Sequence, residues 1–231
     1  MRVAVAKGRL LEPLLELFRK AGLVSPGFDL RDDFRRLMVE DEGSGLSFLL
    51  VKPVDVPTYV EYGAADLGVV GKDVLWEAGR QVCELLDLGF GFCRLVVAAP
   101  RRAGWQSLRS LPYSPRIATK YPRIAEEYFA QQGIQVEIVK LNGAIELAPG
   151  AGLAEAIVDL VATGRTLAEN DLVPLGEIGQ ATARLIANRI SYKVEYDRIR
   201  EMGERLRQAL VGRGDERRAR EGADRTEGDQ A

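Results

Sequence analysis

The chain contains no histidine. That absence removes Ser-His-Asp and Cys-His nucleophile arrangements, His-ligated metal sites and imidazole acid/base chemistry in one step. Only two cysteines are present; Cys83 and Cys93 lack metal-ligand spacing and lie in apolar strand-like sequence, so they read as buried free thiols. No apolar run approaches the roughly 18 residues of a membrane span. Met1-Arg2 leads straight into Val3-Ala4-Val5-Ala6 without a signal-peptide core, so the expected location is cytoplasmic, with no membrane partner. Neither sign of charge dominates: 32 Lys and Arg against 34 Asp and Glu leave a formal charge of −2, too little to recruit nucleic acid. Any catalysis must run on Lys, Arg, Asp, Glu, Thr, Tyr and backbone dipoles, an inventory that suits phosphate chemistry and charge stabilisation.

What is present is the composition of an ordinary globular chain. Its 231 residues, 46% hydrophobic and 29% charged, suffice for one large domain or two small lobes. Short apolar runs alternate with helical patterns, which predicts an α/β protein with mainly parallel sheets. Strands are expected at 3–6, 47–51, 66–70, 116–119, 135–141 and 156–161, with a long β stretch at 82–99 broken by Gly89-Phe90-Gly91. The simplest assembly has two lobes around a cleft. Residues 1–91 with 178–211 form a discontinuous first lobe and 92–177 the second. From about Ile190 a single amphipathic helix carries Val194, Ile199, Met202, Leu206 and Leu210 on one face, to pack on its own lobe, on a second copy of the chain or on a partner. Residues 212–231 are almost wholly polar and are expected to be disordered.

The segment from Ala156 to Leu167 carries the most chemistry. Ile157, Val158, Leu160 and Val161 read as a buried strand bearing one carboxylate, Asp159, and Thr163-Gly164-Arg165-Thr166 reads as a turn before a short helical pattern from Leu167 to Asn170. Unpaired N–H groups at a helix start, a glycine permitting close approach and two Thr hydroxyls suit a phosphate. Asp159, just ahead of the turn, is placed to accept hydrogen bonds from vicinal ribose hydroxyls, or else serves as a capping or turn residue. Lys7-Gly8-Arg9 puts two cations after the first strand, as a ligand contact or a solvated basic turn. Lys52, Asp66, Lys72 and Asp73 stand at further strand ends, where Asp73 also fits helix capping.

Taken together, Ala6-Lys7-Gly8-Arg9-Leu10, Asp55-Val56-Pro57, Gly63-Ala64-Ala65-Asp66-Leu67-Gly68, Gly71-Lys72-Asp73-Val74-Leu75, Phe92-Cys93-Arg94-Leu95, Ala118-Thr119-Lys120-Tyr121-Pro122, Leu141-Asn142-Gly143, Glu146-Leu147-Ala148-Pro149 and the run from Asp159 to Leu167 resemble the ATP phosphoribosyltransferase family, from about Met1 to Tyr192. The resemblance implies a bilobal fold like that of type II periplasmic binding proteins. It also implies transfer of phosphoribosyl from phosphoribosyl pyrophosphate to N1 of ATP, with Mg²⁺, in the first step of L-histidine biosynthesis. Under it, Lys7, Arg9 and Asp159 carry the reaction, while Lys52, Asp66, Lys72, Glu146, Asp159 and the turn Ala162 to Thr166 bind substrate. No residue is implied as a direct metal ligand: Mg²⁺ arrives with the substrate, and Glu146 is the candidate for a metal or ribose contact. Lys52 stands where the family usually carries Arg, which keeps the charge and loses the planar fork. The match ends before any histidine-binding domain, as in the short form, which works with a regulatory subunit resembling histidyl-tRNA synthetase; a homodimer of the chain is a further expectation. The competing readings are a solute-binding protein of a transport system, and a catalytically inactive partner subunit.

Overall fold

The structure, a computed structural model, describes residues 1–30 and 37–227, with side chains as far as 211. In chain order the elements are β1 (Arg2–Ala6), α1 (Leu11–Lys20), β2 (Met38–Asp41), β3 (Leu46–Val51), α2 (Val56–Glu61), β4 (Leu67–Gly71), α3 (Lys72–Ala78), β5 (Cys83–Asp87) and β6 (Cys93–Pro100). They continue with β7 (Arg116–Thr119), α4 (Pro122–Gln131), β8 (Glu137–Lys140), β9 (Ala156–Val161), α5 (Arg165–Glu169), β10 (Leu172–Ala181), β11 (Ala183–Ala187), α6 (Arg189–Val194) and α7 (Tyr196–Glu227). They fall into two compact units: residues 1–71, 80–91 and 183–231, and residues 72–79 and 92–182. None of the described helices is long and apolar enough to cross a membrane.

The first unit is built on a six-stranded sheet in the order β2-β3-β1-β4-β11-β5. Val3 to Ala6 are buried throughout, as a central strand covered on both faces requires. The strand β3 instead alternates, with Leu46, Phe48 and Leu50 buried between less buried neighbours. Helix α1 presents Leu11, Leu14, Leu15 and Phe18 to the same core at helical spacing. Helix α2 lies close on β4 because residue 68 is glycine; a Cβ there would come within 2.7 Å of Val60. The second unit is a five-stranded sheet in the order β10-β6-β9-β7-β8, with apolar clusters on its two faces.

Five expectations are corrected. The sheets are mixed: β1 runs parallel to β3 and β4, and β7 to β8 and β9, but β2, β5, β6, β10 and β11 pair antiparallel with their neighbours. The return to the first unit falls at residue 183 rather than 178, because β10 stays paired with β6 as far as Ala181. Residues 72–79 join the second unit. There the Glu77 carboxylate accepts the Arg123 and Ile124 N–H groups at the start of α4, each at 3.1 Å, and the Trp76 ring sits over Gly179. Finally, the C-terminal helix is two helices, interrupted at Glu195 (φ −104°, ψ 27°). Ile199, Met202 and Leu206 pack into the first core, whereas Val194, ahead of the break, is 75% exposed. Helix α7 runs on to Glu227, where the sequence suggests a disordered tail from 212. Residues 228–231 lie outside the described residues.

Candidate active site

The site is assembled at the carboxyl ends of β7, β8 and β9. At the opposite ends of β7 and β9, Arg116 grips Glu155 by a forked ion pair (Nη2 to Oε1 2.7 Å, Nε to Oε2 3.2 Å), and the Arg116 N–H donates to Glu155 Oε2 at 2.7 Å. That clamp sets the parallel register in which Thr119 lies opposite Val158. Strand alternation then puts Asp159 on the face of Ile157 and Val161, which is covered by the turn Ile145–Leu147 and by α5 through Ile145, Ala148 and Leu167. The carboxylate is partly buried, and its Oδ1 accepts the Leu160 N–H at 2.8 Å. Burial pushes Asp159 up to about 6; the Leu160 hydrogen bond opposes this, the charge of Glu146 adds to it, and Lys120 opposes it. Glu146 thus stands near enough for its charge to act on Asp159.

Beyond Val161 the chain leaves the sheet through Ala162 and Thr163. Gly164 adopts φ +82°, a left-handed conformation that side chains other than glycine rarely take, and starts α5. Ala162, Thr163, Arg165 and Thr166 are exposed around it. The Arg165 N–H reaches Thr163 Oγ1 at 3.5 Å and its guanidinium pairs with Glu169 at 2.7 Å. The loop therefore offers hydroxyls, a cation and the N–H groups of a helix start beside a single carboxylate, a set that fits a sugar carrying a phosphate.

On the first unit, the Lys7 N–H donates to Val51 O at 3.1 Å, so Lys7 and Lys52 emerge side by side from the carboxyl ends of two neighbouring parallel strands. Arg9 is exposed one residue past Gly8. Lys72, the first residue of the second unit, directly follows the end of β4 and opens α3. Asp66 lies at the other end of the sheet from Lys7 and Lys52. It precedes β4, at the amino ends of the parallel strands, where its carboxylate accepts the Arg2 N–H and the Ser191 hydroxyl, each at 2.8 Å, and so ties β1 and α6 to the start of β4. A cavity of about 410 Å³ lined by Leu23, Ser25, Ser44, Arg198, Glu201 and Arg205 lies on this unit, beside α7 and the turn that opens β3, and not at the strand ends that carry Lys7 and Lys52. One site residue escapes the sequence reading: Lys120, at the end of β7, whose charge acts on Asp159. Its signal is its place directly after a buried strand.

Two α/β units, one with a carboxylate near the end of a strand that leads into a Thr/Gly turn and a helix start, define the fold of periplasmic binding proteins. The fold is shared with the periplasmic aliphatic sulphonate binding protein SsuA of Escherichia coli (TM-score 0.60, 14% identity, covering 95% of this chain and 75% of that one). A family profile for ATP phosphoribosyltransferase matches residues 52–208. The chain is 52% identical over 221 residues to the ATP phosphoribosyltransferase of Moorella thermoacetica, covering 94% of this chain and 96% of that protein. A chain of the ATP phosphoribosyl transferase (HisG:HisZ) complex of Thermotoga maritima superposes with a TM-score of 0.78 at 32% identity, covering 92% and 99%. The chain belongs to the ATP phosphoribosyltransferase family.

Proposed function

We infer that the chain joins ATP and phosphoribosyl pyrophosphate into phosphoribosyl-ATP and pyrophosphate, the first step of L-histidine biosynthesis, and that it does so in the cytoplasm. Family membership supports the reaction; the observation that carries the site is the union of Asp159 with the loop 162–166 at the end of one strand. Adenine N1 has a free lone pair at neutral pH, so it attacks C1′ of the ribose without a general base, and a chain lacking histidine meets no obstacle. The N1–C1′ bond forms as the C1′–O bond to pyrophosphate breaks, and the electron pair leaves with pyrophosphate.

Asp159 and Glu146 take the ribose hydroxyls, and Ala162 to Thr166 hold the 5′-phosphate, an alignment worth several kcal/mol in such reactions. Lys7, Arg9, Lys52 and Lys72 supply positive charge to the triphosphate and the leaving pyrophosphate. Among the described residues no cluster of three or more His, Cys, Asp or Glu is placed to hold a metal ion. The donor set Asp159 and Glu146 fits Mg²⁺ that arrives on substrate phosphates and borrows one or two carboxylates. When bound, the ion neutralises developing charge on pyrophosphate.

The protein partners of this reading are a regulatory subunit resembling histidyl-tRNA synthetase and a second copy of the chain. The assembled state of the Thermotoga relative supports the first; exposed Tyr62, Ile190 and Val194 on the first unit support an apolar contact for one of them. Pyrophosphate release, measured with each substrate alone and with both, in the presence and absence of the partner, tests the reading: release that needs both substrates bears it out, and release from phosphoribosyl pyrophosphate alone overturns it.

A further inference from the structure

Three buried polar side chains of the second unit, Asp73, Thr119 and Tyr121, form one chain of hydrogen bonds that ends on the residue before Asp159. The fully buried Thr119 hydroxyl donates to Val158 O at 2.7 Å and accepts the Tyr121 N–H at 2.9 Å. The Tyr121 hydroxyl in turn donates to Asp73 Oδ2 at 3.0 Å, in the first turn of α3 and next to Lys72. A buried polar group is costly unless it is satisfied, so a Thr, a Tyr and an Asp at adjoining core positions need a reason beyond filling space. The geometry supplies one. Ladder pairing of β7 stops at Thr119 and α4 starts at Pro122, so Lys120 and Tyr121 bridge a strand end and a helix start. Side-chain bonds hold that bridge on both sides of Lys120. Burial, and then the charge of Asp73, raise the Tyr121 hydroxyl far above its ordinary value, which keeps it a donor at any physiological pH.

We propose that Thr119, Tyr121 and Asp73 are positioning residues for phosphoribosyl pyrophosphate: they lock the Lys120 turn against β9 at Val158, so that Asp159 and Lys120 present a carboxylate and an ammonium to the sugar phosphate in fixed relation. The proposal rests on the functional reading above and names residues that reading leaves idle. None of the three touches substrate, and each acts through Asp159 or Lys120.

The test is calorimetric titration of phosphoribosyl pyrophosphate with Mg²⁺ into the full chain and into Tyr121→Phe, Thr119→Val and Thr119→Ser, with the melting temperature of each protein measured alongside. Loss of one charge-assisted hydrogen bond to the ligand corresponds to about a tenfold or larger rise in Kd. The expected result is a Kd raised by about tenfold or more in Tyr121→Phe and Thr119→Val, and a Kd restored to near the wild-type value by the hydroxyl of Thr119→Ser. A Tyr121→Phe protein that folds and binds within about twofold of wild type overturns the proposal, even where its melting temperature has dropped, because the bond would then be structural only. Wild-type chain that does not bind phosphoribosyl pyrophosphate at all would instead overturn the functional reading and the proposal with it. Where Thr119→Val fails to fold, Tyr121→Phe, which keeps the ring in the core, decides.

Discussion

Replacing Asp159 by Asn separates what this carboxylate does for the reaction from what it costs the fold. Asn keeps a carbonyl oxygen for the Leu160 N–H that Asp159 now accepts at 2.8 Å, so the local backbone has no cause to move. It loses the charge that, in the proposed reaction, accepts the ribose hydroxyls. Charge-assisted hydrogen bonds contribute about 1.5–3 kcal/mol each, so kcat/KM for phosphoribosyl pyrophosphate should fall at least about tenfold while the KM for ATP holds. Burial raises Asp159 from 3.8 to about 6, so the ionised form that binds ribose disappears as pH falls through 6. Wild-type kcat/KM should therefore carry an acid limb near pH 6 that Asp159→Asn lacks. The sign for stability is the reverse. A carboxyl group raised in the folded state costs nothing below about pH 4, and the penalty is complete above pH 6, at most about 3 kcal/mol. At pH 8 the Asn protein should melt no lower than wild type and at pH 4 the two should coincide. Initial rates against each substrate and melting curves at the two pH values settle it. Equal loss for both substrates, or an acid limb that survives the substitution, would refute the assignment.

Gly164→Val should abolish 5′-phosphate binding in a protein with unchanged circular dichroism, because φ +82° is barred to a β-branched residue although space is available, the nearest atom to a Cβ being Val161 Cγ1 at 3.9 Å; a folded, fully active variant would make the turn merely structural. Leu206→Ala, removing a fully buried side chain where α7 meets the first core, should cost about 2–5 kcal/mol in denaturant unfolding; a loss below about 1 kcal/mol would mean that α7 is not part of that core. Free histidine should not inhibit the 231-residue chain alone, and inhibition should appear on adding the synthetase-like partner. Calorimetry checks this: saturable histidine binding, for which the cavity between Ser25 and Arg205 is the place to look, would put regulation in this chain.

The parts of the fold that local sequence determines were legible. The strand-turn-helix unit from Ala156 to Glu169 follows from an apolar run, a Gly-centred turn and a helix start, all within fourteen residues, and the break at Gly89-Phe90-Gly91 separates β5 from β6 as expected. What long-range pairing decides was not. The antiparallel entry of β10 and β11, the allegiance of residues 72–79 to the second unit through Glu77, Asp73 and Trp76, and the role of Asp66 as a clamp for Arg2 and Ser191 all depend on partners 46 or more residues away. Glu195 interrupts a helix with neither Gly nor Pro to mark it, so an unbroken apolar stripe from Val194 to Leu210 was the natural reading. Lys120 gains its meaning from the register that sets Thr119 opposite Val158, which no spacing along the chain reveals.

The central claim is that this chain makes a bond between ribose C1′ and adenine N1. Phosphorus NMR with mass analysis of a reaction holding the chain, its regulatory partner, Mg²⁺, ATP and phosphoribosyl pyrophosphate tests it most directly. The account predicts phosphoribosyl-ATP and pyrophosphate in equal amounts, with the triphosphate intact. Ribose 5-phosphate with pyrophosphate and no adduct, or cleavage of the triphosphate, would contradict it.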